Sequence, residues 1–271
     1  LTALDGGFAQ TPAMRFALEC ALLDLASQQG QIPLRGYLAT DAPDRVAVNA
    51  MAGPLATLTP ERVQRLSAEG YAVIKIKVGL ESPAAERQRL LAIAGELPAH
   101  LSLRLDANGA WAFADARRML DALAPLPLES IEEPLRRPSA ERLRALQSSV
   151  PFPLARDESL PALLADGALD PARLGVRRIV LKPAVIGGLR RTLELARLAM
   201  ADGIEVVITS LVESAAGLWP TAQLAAATAS PLAHGLATAD WLARDLGPAP
   251  RVSRGWIGLP DAAGSGFRPD P

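Results

Sequence analysis

A chain of 271 residues, 49% hydrophobic and 21% charged, is ordinary soluble globular material, large enough for one sizeable domain and too apolar to be disordered. Its 28 basic and 29 acidic residues leave a net charge of -1, which provides no field to draw nucleic acid or an anionic membrane surface, so the expected partner is a small molecule. A single cysteine, Cys20, excludes an internal disulfide framework and a multi-cysteine zinc centre; with no membrane-length apolar run and no signal-peptide layout, the expected location is the cytoplasm.

In chain order, Pro12–Gln29 reads as a helix with Met14, Leu18, Ala21, Leu22 and Leu25 along one side and Gly30 as its stop. Cys20 lies within it and reads as a small buried hydrophobe, because no histidine or basic cluster accompanies it to lower its pKa. From Val46 onward, short β-branched or apolar runs alternate with helix-length amphipathic segments. The expected strands are Val46–Ala52, Val73–Val78, Leu101–Asp106, Ser130–Glu133, Pro153–Asp157, Arg178–Lys182, Glu205–Ser210 and a weak last one near Gly235–Ala239. Between them, Thr59 caps a helix over Pro60–Glu69 with Gly70 past its end, and Pro83–Leu97 begins similarly after Ser82. Leu189, Leu193, Ala196 and Met200 form a third apolar stripe, stopped at Gly203. Such alternation allows a closed parallel barrel or an open doubly wound sheet, and eight units favour the barrel. No strand is followed by a G-x-G-x-x-G or Walker-type loop.

Barrel enzymes place their chemistry at the C-terminal ends of the strands. Here Val73–Gly79 puts Lys75 and Lys77 on one strand face, and Leu101–Asn108 puts Arg104, Asp106 and Asn108 on another. The following strands end in Glu132-Glu133-Pro134, Asp157-Glu158-Ser159 and Lys182-Pro183. In a ring of eight, strand order sets Lys77 and Lys182 on opposite walls, with Asp106, Glu132 and Asp157 side by side between them. Three converging carboxylates need a cation, and their hard oxygens suit Mg²⁺, with Mn²⁺ as a substitute. Such an ion can hold a substrate carboxylate and stabilise the enediolate formed when a lysine removes the neighbouring proton. A lysine serves as that base only when burial or nearby positive charge lowers its pKa.

These motifs, in this order, resemble the enolase superfamily in its muconate-lactonising-enzyme-like branch, over about Pro12 to the C-terminus. The resemblance implies an α/β chain, a (β/α)7β TIM-like barrel with part of an α+β capping domain. Residues 1–45 would be the end of that cap and a lead-in helix, 46–243 the catalytic barrel, and 244–271 a segment returning to the cap. Within the branch, Arg104–Trp111, Leu181–Gly188, Ser210–Ser214 and His234–Leu236 look most like o-succinylbenzoate synthases of the cyanobacterial and plant-plastid type. That likeness implies dehydration of 2-succinyl-6-hydroxy-2,4-cyclohexadiene-1-carboxylate to 2-succinylbenzoate on the menaquinone or phylloquinone route.

By the same likeness Asp106, Glu132 and Asp157 bind Mg²⁺, Lys77 is base and then acid, Lys182 faces the enediolate, and Lys75 lowers the pKa of Lys77. Candidates for contact with the carboxylate substrate are Arg104, Asn108, Ile186, Gly187, Gly188, Ser210 and Glu213, with a structural ion pair equally open for Arg104. His234 is not expected to be catalytic, because the family places no base there. Family members carry a longer N-terminal portion that closes over the mouth, so these residues alone are expected to turn over poorly. An N-acylamino-acid racemase or dipeptide epimerase, with Lys77 and Lys182 as opposed bases, is the alternative; Thr238-Ala239-Asp240 supplies only one of the acids an epimerase uses for its substrate ammonium. A non-catalytic barrel that kept every motif is the remaining and least favoured reading.

Overall fold

The computed structural model describes residues 11–164 and 169–270. Two helices, α1 (Pro12–Gln29) and α2 (Leu34–Leu38), precede β1 (Arg45–Ala47) and β2 (Ala50–Pro54). Alternation then runs through α3 (Pro60–Ala68), β3 (Val73–Lys77), α4 (Pro83–Gly95), β4 (Ser102–Asp106), α5 (Phe113–Leu123) and β5 (Leu128–Glu132). It continues with α6 (Ala140–Gln147), β6 (Leu154–Arg156), α7 (Leu160–Leu163), β7 (Arg178–Leu181), α8 (Pro183–Ile186), α9 (Leu189–Ala201), β8 (Glu205–Ile208) and α10 (Ala215–Ala227). Two short strands, β9 (Val252–Ser253) and β10 (Trp256–Gly258), follow.

The sheet β2 to β8 is ordered as in the chain, and its registers from β2 to β7 are parallel. At the eighth position, where a weak strand was expected, the structure has two bridges: Val48 with His234 and Thr209 with Gly235. The architecture is α/β, a TIM-like barrel with part of an α+β cap. The three-stranded antiparallel sheet β1-β10-β9 accounts for a departure from expectation. Val46–Ala52 is not one strand, because β1 pairs with β10 while β2 joins the parallel sheet, and Asn49, fully buried, stands at the break.

By contact the chain divides into two compact units, 49–180 with 202–205, and 1–48 with 181–201 and 206–271. In the first, Ile74, Ile76, Leu103, Leu105 and Ile131 are wholly buried, while the alternate positions of β3 and β4 carry Lys75, Arg104 and Asp106. Thr59 and Ser82 cap α3 and α4 by accepting from the N–H of Arg62 and Ala85, which satisfies donors the helix leaves free.

In the second unit, α1 buries Phe16, Cys20 and Leu23 and leaves Met14, Leu18, Leu22 and Leu25 exposed, the reverse of the face suggested by its leucine spacing. Apolar residues lie on both sides of this helix, so spacing alone could not choose between them. The positive φ at its end falls on Gln31 (54°), not on Gly30. No helix among the described residues is long and apolar enough to cross a membrane.

Candidate active site

Register assembles the strand ends. Across β3, β4 and β5, Lys77 is paired with Asp106 and Asp106 with Glu132, so an ammonium and two carboxylates stand abreast on neighbouring strands. Glu132 is paired with Ala155, and Asp157 follows two residues later on the same side of its chain. Asp106, Glu132 and Asp157 are all at least 95% buried.

Lys75 lies buried among them, its Nζ 3.0 Å from Asp106 Oδ2 and bonded also to Glu132 Oε2. Burial would lower its pKa, but Glu132 and Asp106 more than reverse that and hold the ammonium well above the ordinary lysine range. Lys77 is different, with a side chain 40% exposed. Its Nζ donates to Asn108 Oδ1 at 2.6 Å and lies 3.9 Å from Asp106 Oδ2. Asn108, at φ 43°, receives help in turn: its N–H donates to Asp106 Oδ1 (3.1 Å) and its Nδ2 to Glu158 Oε1 (2.9 Å). Asn108, expected to contact substrate, therefore contacts the lysine.

Two carboxylates that the sequence did not single out hold the strand-end loops of this unit. Glu133 Oε2 accepts from the N–H of Asp157 (2.8 Å), the N–H of Ser159 (3.1 Å) and Ser159 Oγ (2.9 Å), fixing how Asp157 leaves its strand. Glu86, on α4, accepts from the N–H groups of Gly79, Leu80 and Glu81, the loop that follows Lys77. A glutamate doublet before proline was the only sequence hint for Glu133, and Glu86 had none.

Of the two readings open for Arg104, the structure takes the structural ion pair. It is wholly buried, with Nε and Nη2 on Glu129 at 2.9 and 3.2 Å and Nη1 on Asn49 Oδ1 at 3.1 Å, so its guanidinium is engaged by protein and withdrawn from ligand. Glu129 also meets Arg178 Nη1 at 2.5 Å, and Arg178 continues to Glu205 Oε2 at 2.7 Å. Burial would raise the Glu129 carboxyl, but Arg104 and Arg178 outweigh it and bring it down to about 2.

The sequence also led us to expect three acids gathered on one ion. Among the described residues no group of three acidic, histidine or cysteine side chains is placed to hold a metal as it stands. The Lys75 ammonium compensates Asp106 and Glu132, and their oxygens turn to it. Donor chemistry and position do fit a hard divalent cation, since three nearly buried carboxylates sit at the ends of adjacent strands.

In the other unit, Lys182 ends the run of β7 and is the N-cap of α8. Ser210 is buried, its Oγ 2.9 Å from Thr238 Oγ1 and 3.2 Å from Gly235 O. Glu213 accepts from the N–H of Leu211 (3.0 Å) and from Thr221 Oγ1 (3.2 Å), with burial pushing its carboxyl up. Both expected ligand contacts are thus engaged in holding their own loop. His234 is structural, its Nδ1 accepting from the N–H of Ile208 at 3.0 Å.

A parallel barrel with lysines and carboxylates at its strand ends defines a barrel enzyme with its site at that mouth. The family model for enolase C-terminal domain-like proteins matches residues 59–271, and the chain belongs to that family, in the muconate-lactonising-enzyme-like branch of the enolase superfamily. Among its relatives is an o-succinylbenzoate synthase of Desulfotalea psychrophila, 35% identical over 94% of this chain and 69% of that protein. The crystal structure of muconate cycloisomerase from Pseudomonas fluorescens superposes with a TM-score of 0.81 at 25% identity, covering 94% of this chain and 72% of that one. A dipeptide epimerase from Enterococcus faecalis V583, complexed with Mg and the dipeptide L-Leu-L-Tyr, gives 0.80 at 28% identity over 94% and 73%. The chain spans 62 to 69% of the length of the first curated relatives it matches.

Proposed function

We propose that this enzyme is an o-succinylbenzoate synthase, a hydro-lyase that converts 2-succinyl-6-hydroxy-2,4-cyclohexadiene-1-carboxylate to 2-succinylbenzoate and water in the cytoplasm, for menaquinone or phylloquinone synthesis. The observation that carries the reading is Lys77, a half-exposed ammonium in register with Asp106 and Glu132 at the strand ends. Relatives named for this activity support it, as does the strand-end carboxylate set. Residues 46–243 are assigned as the catalytic barrel and the flanks to the cap.

Lys77 Nζ, as the free amine, takes the proton from the carbon bearing the carboxylate, and the electron pair moves into the carboxyl group as an enediolate. Collapse of the enediolate expels the ring hydroxyl, which leaves as water with the proton returned by Lys77, and the ring becomes aromatic. Lys75, held charged by its carboxylates, stabilises negative charge beside Lys77. Lys182 is assigned as the second ammonium acting on the enediolate. Asp106, Glu132 and Asp157 would hold Mg²⁺, which when bound supplies Lewis-acid polarisation of the substrate carboxylate.

The test is an ultraviolet assay of aromatisation, with and without Mg²⁺, on the protein and its Lys77→Ala variant. Turnover that depends on Mg²⁺ and falls about 10³-fold in the variant is expected. Undiminished turnover in Lys77→Ala would remove the base. Exchange of the α-proton of N-acylamino acids or dipeptides without any dehydration would replace this reading with the racemase, or with the dipeptide epimerase that one group of relatives represents.

A further inference from the structure

The turn Ile186-Gly187-Gly188, followed by the N-terminus of α9, was expected to receive a substrate carboxylate. A carboxylate from this chain already meets it. Glu19, on the buried face of α1, accepts from the N–H of Leu189 and, at 3.4 Å, from the N–H of Arg190. One turn earlier on α1, Arg15 Nε donates to Gly187 O at 2.6 Å. A helix N-terminus carries partial positive charge and unsatisfied N–H groups, so Glu19 satisfies both from inside the fold.

The two glycines have the same explanation. Gly187 and Gly188 have φ of 95° and 148°, and a Cβ on Gly188 would lie 2.2 Å from Glu19 Oε2. A Cβ on Gly187 would come within 3.2 Å of Pro12 Cβ. The glycine pair is therefore what lets α1 approach the turn.

From this anchor to Lys182 the path is short and hydrogen-bonded. Gly187 and Gly188 donate to Pro183 O at 2.8 and 3.0 Å, and Val185 and Ile186 both donate to Lys182 O at 2.9 Å. We propose that Glu19 is a positioning residue: by capping α9 from α1 it fixes the Lys182–Gly188 turn and thereby Lys182, and it closes this helix N-terminus to substrate anions. The proposal rests on the role given above to Lys182.

Hydrogen–deuterium exchange and kinetics of the wild type, Glu19→Ala and Glu19→Gln test it. Loss of the cap predicts about five- to tenfold faster exchange at 186–190 in Glu19→Ala, with an intermediate effect in Glu19→Gln, which keeps a neutral acceptor. In Glu19→Ala, kcat for dehydration is expected to fall about 10- to 100-fold with KM little changed, and added acetate or formate should restore both exchange protection and part of kcat. Unchanged exchange at 186–190, faster exchange spread over the whole chain with no rescue by acetate, or a KM rise as large as the kcat loss would each overturn the proposal. Exchange, and its restoration by acetate, are read without substrate. A wild type lacking dehydratase activity that still showed this local pattern would therefore overturn the dehydratase reading and the kinetic half of the proposal, and leave the cap standing.

Discussion

Within one unit, buried charge is handled in two ways at two levels of the strands. At their starts, Glu129 and Glu205 are matched by Arg104 and Arg178, guanidinium against carboxylate, with Arg104 and Arg178 at most 2% exposed. At their ends, Lys75 is shared by Asp106 and Glu132, Lys77 reaches solvent, and Glu133 and Glu86 are held chiefly by backbone N–H groups. N–H dipoles hold a carboxylate in place without cancelling its charge. The lower level is thus balanced, with Glu205 at its solvent edge, and the upper one keeps unbalanced charge where a substrate or a cation can use it.

The largest effect that separates the levels is expected from Arg104→Met. It takes from Glu129 one of its two guanidinium partners, leaving Arg178, strands Asn49 Oδ1, and should cost about 3 kcal/mol in urea denaturation, because a buried charge network loses one of its cations. A loss under 1 kcal/mol would show that the lower network is dispensable. Acid should probe the same network without mutation. Glu129 is held at about 2 in the folded chain against an ordinary 4.5, so its contribution is fully present above pH 4.5 and is lost as pH falls toward 2. That contribution is on the order of 3 kcal/mol, and it should vanish from the pH dependence of unfolding in Glu129→Gln.

The smallest expected stability change belongs to the upper level. Glu133→Gln keeps one acceptor for the Asp157 and Ser159 donors, so stability should fall by only about 1 kcal/mol, while activity falls about tenfold through the misplaced Asp157. Equal activity with equal stability would mean that the brace is idle.

These two levels also explain what the sequence revealed. Alternation along Val73–Lys77 and Ser102–Asp106 separates an apolar face from a polar one, and strand ends are local, so Lys77, Asp106, Glu132 and Asp157 were legible as a set. The barrel class followed from the rhythm of the elements. Partnerships were not legible, because Glu129 with Arg178, or Glu19 with Leu189, join segments whose meeting depends on tertiary register. Arg104 shares a face with Asp106, so spacing left a ligand contact and a structural ion pair equally open, and its meeting with Glu129 on the neighbouring strand decides for the second. Nor could spacing show that α1 buries Phe16, Glu19, Cys20 and Leu23 and not Leu18, Leu22 and Leu25.

The eighth position of the ring has its own consequence. Residues 234 and 235 stitch their neighbours through His234 N–H on Ala47 O, Gly235 N–H on Ile208 O, the N–H and Oγ of Ser210 on Gly235 O, and the imidazole that catches the N–H of Ile208. A Cβ on Gly235 would come 2.6 Å from Thr209 Oγ1, so the seam admits no bulkier stitch. The clasp is thus sewn mainly through the backbone, and a side chain at position 235 would strike Thr209 before it could add a stitch.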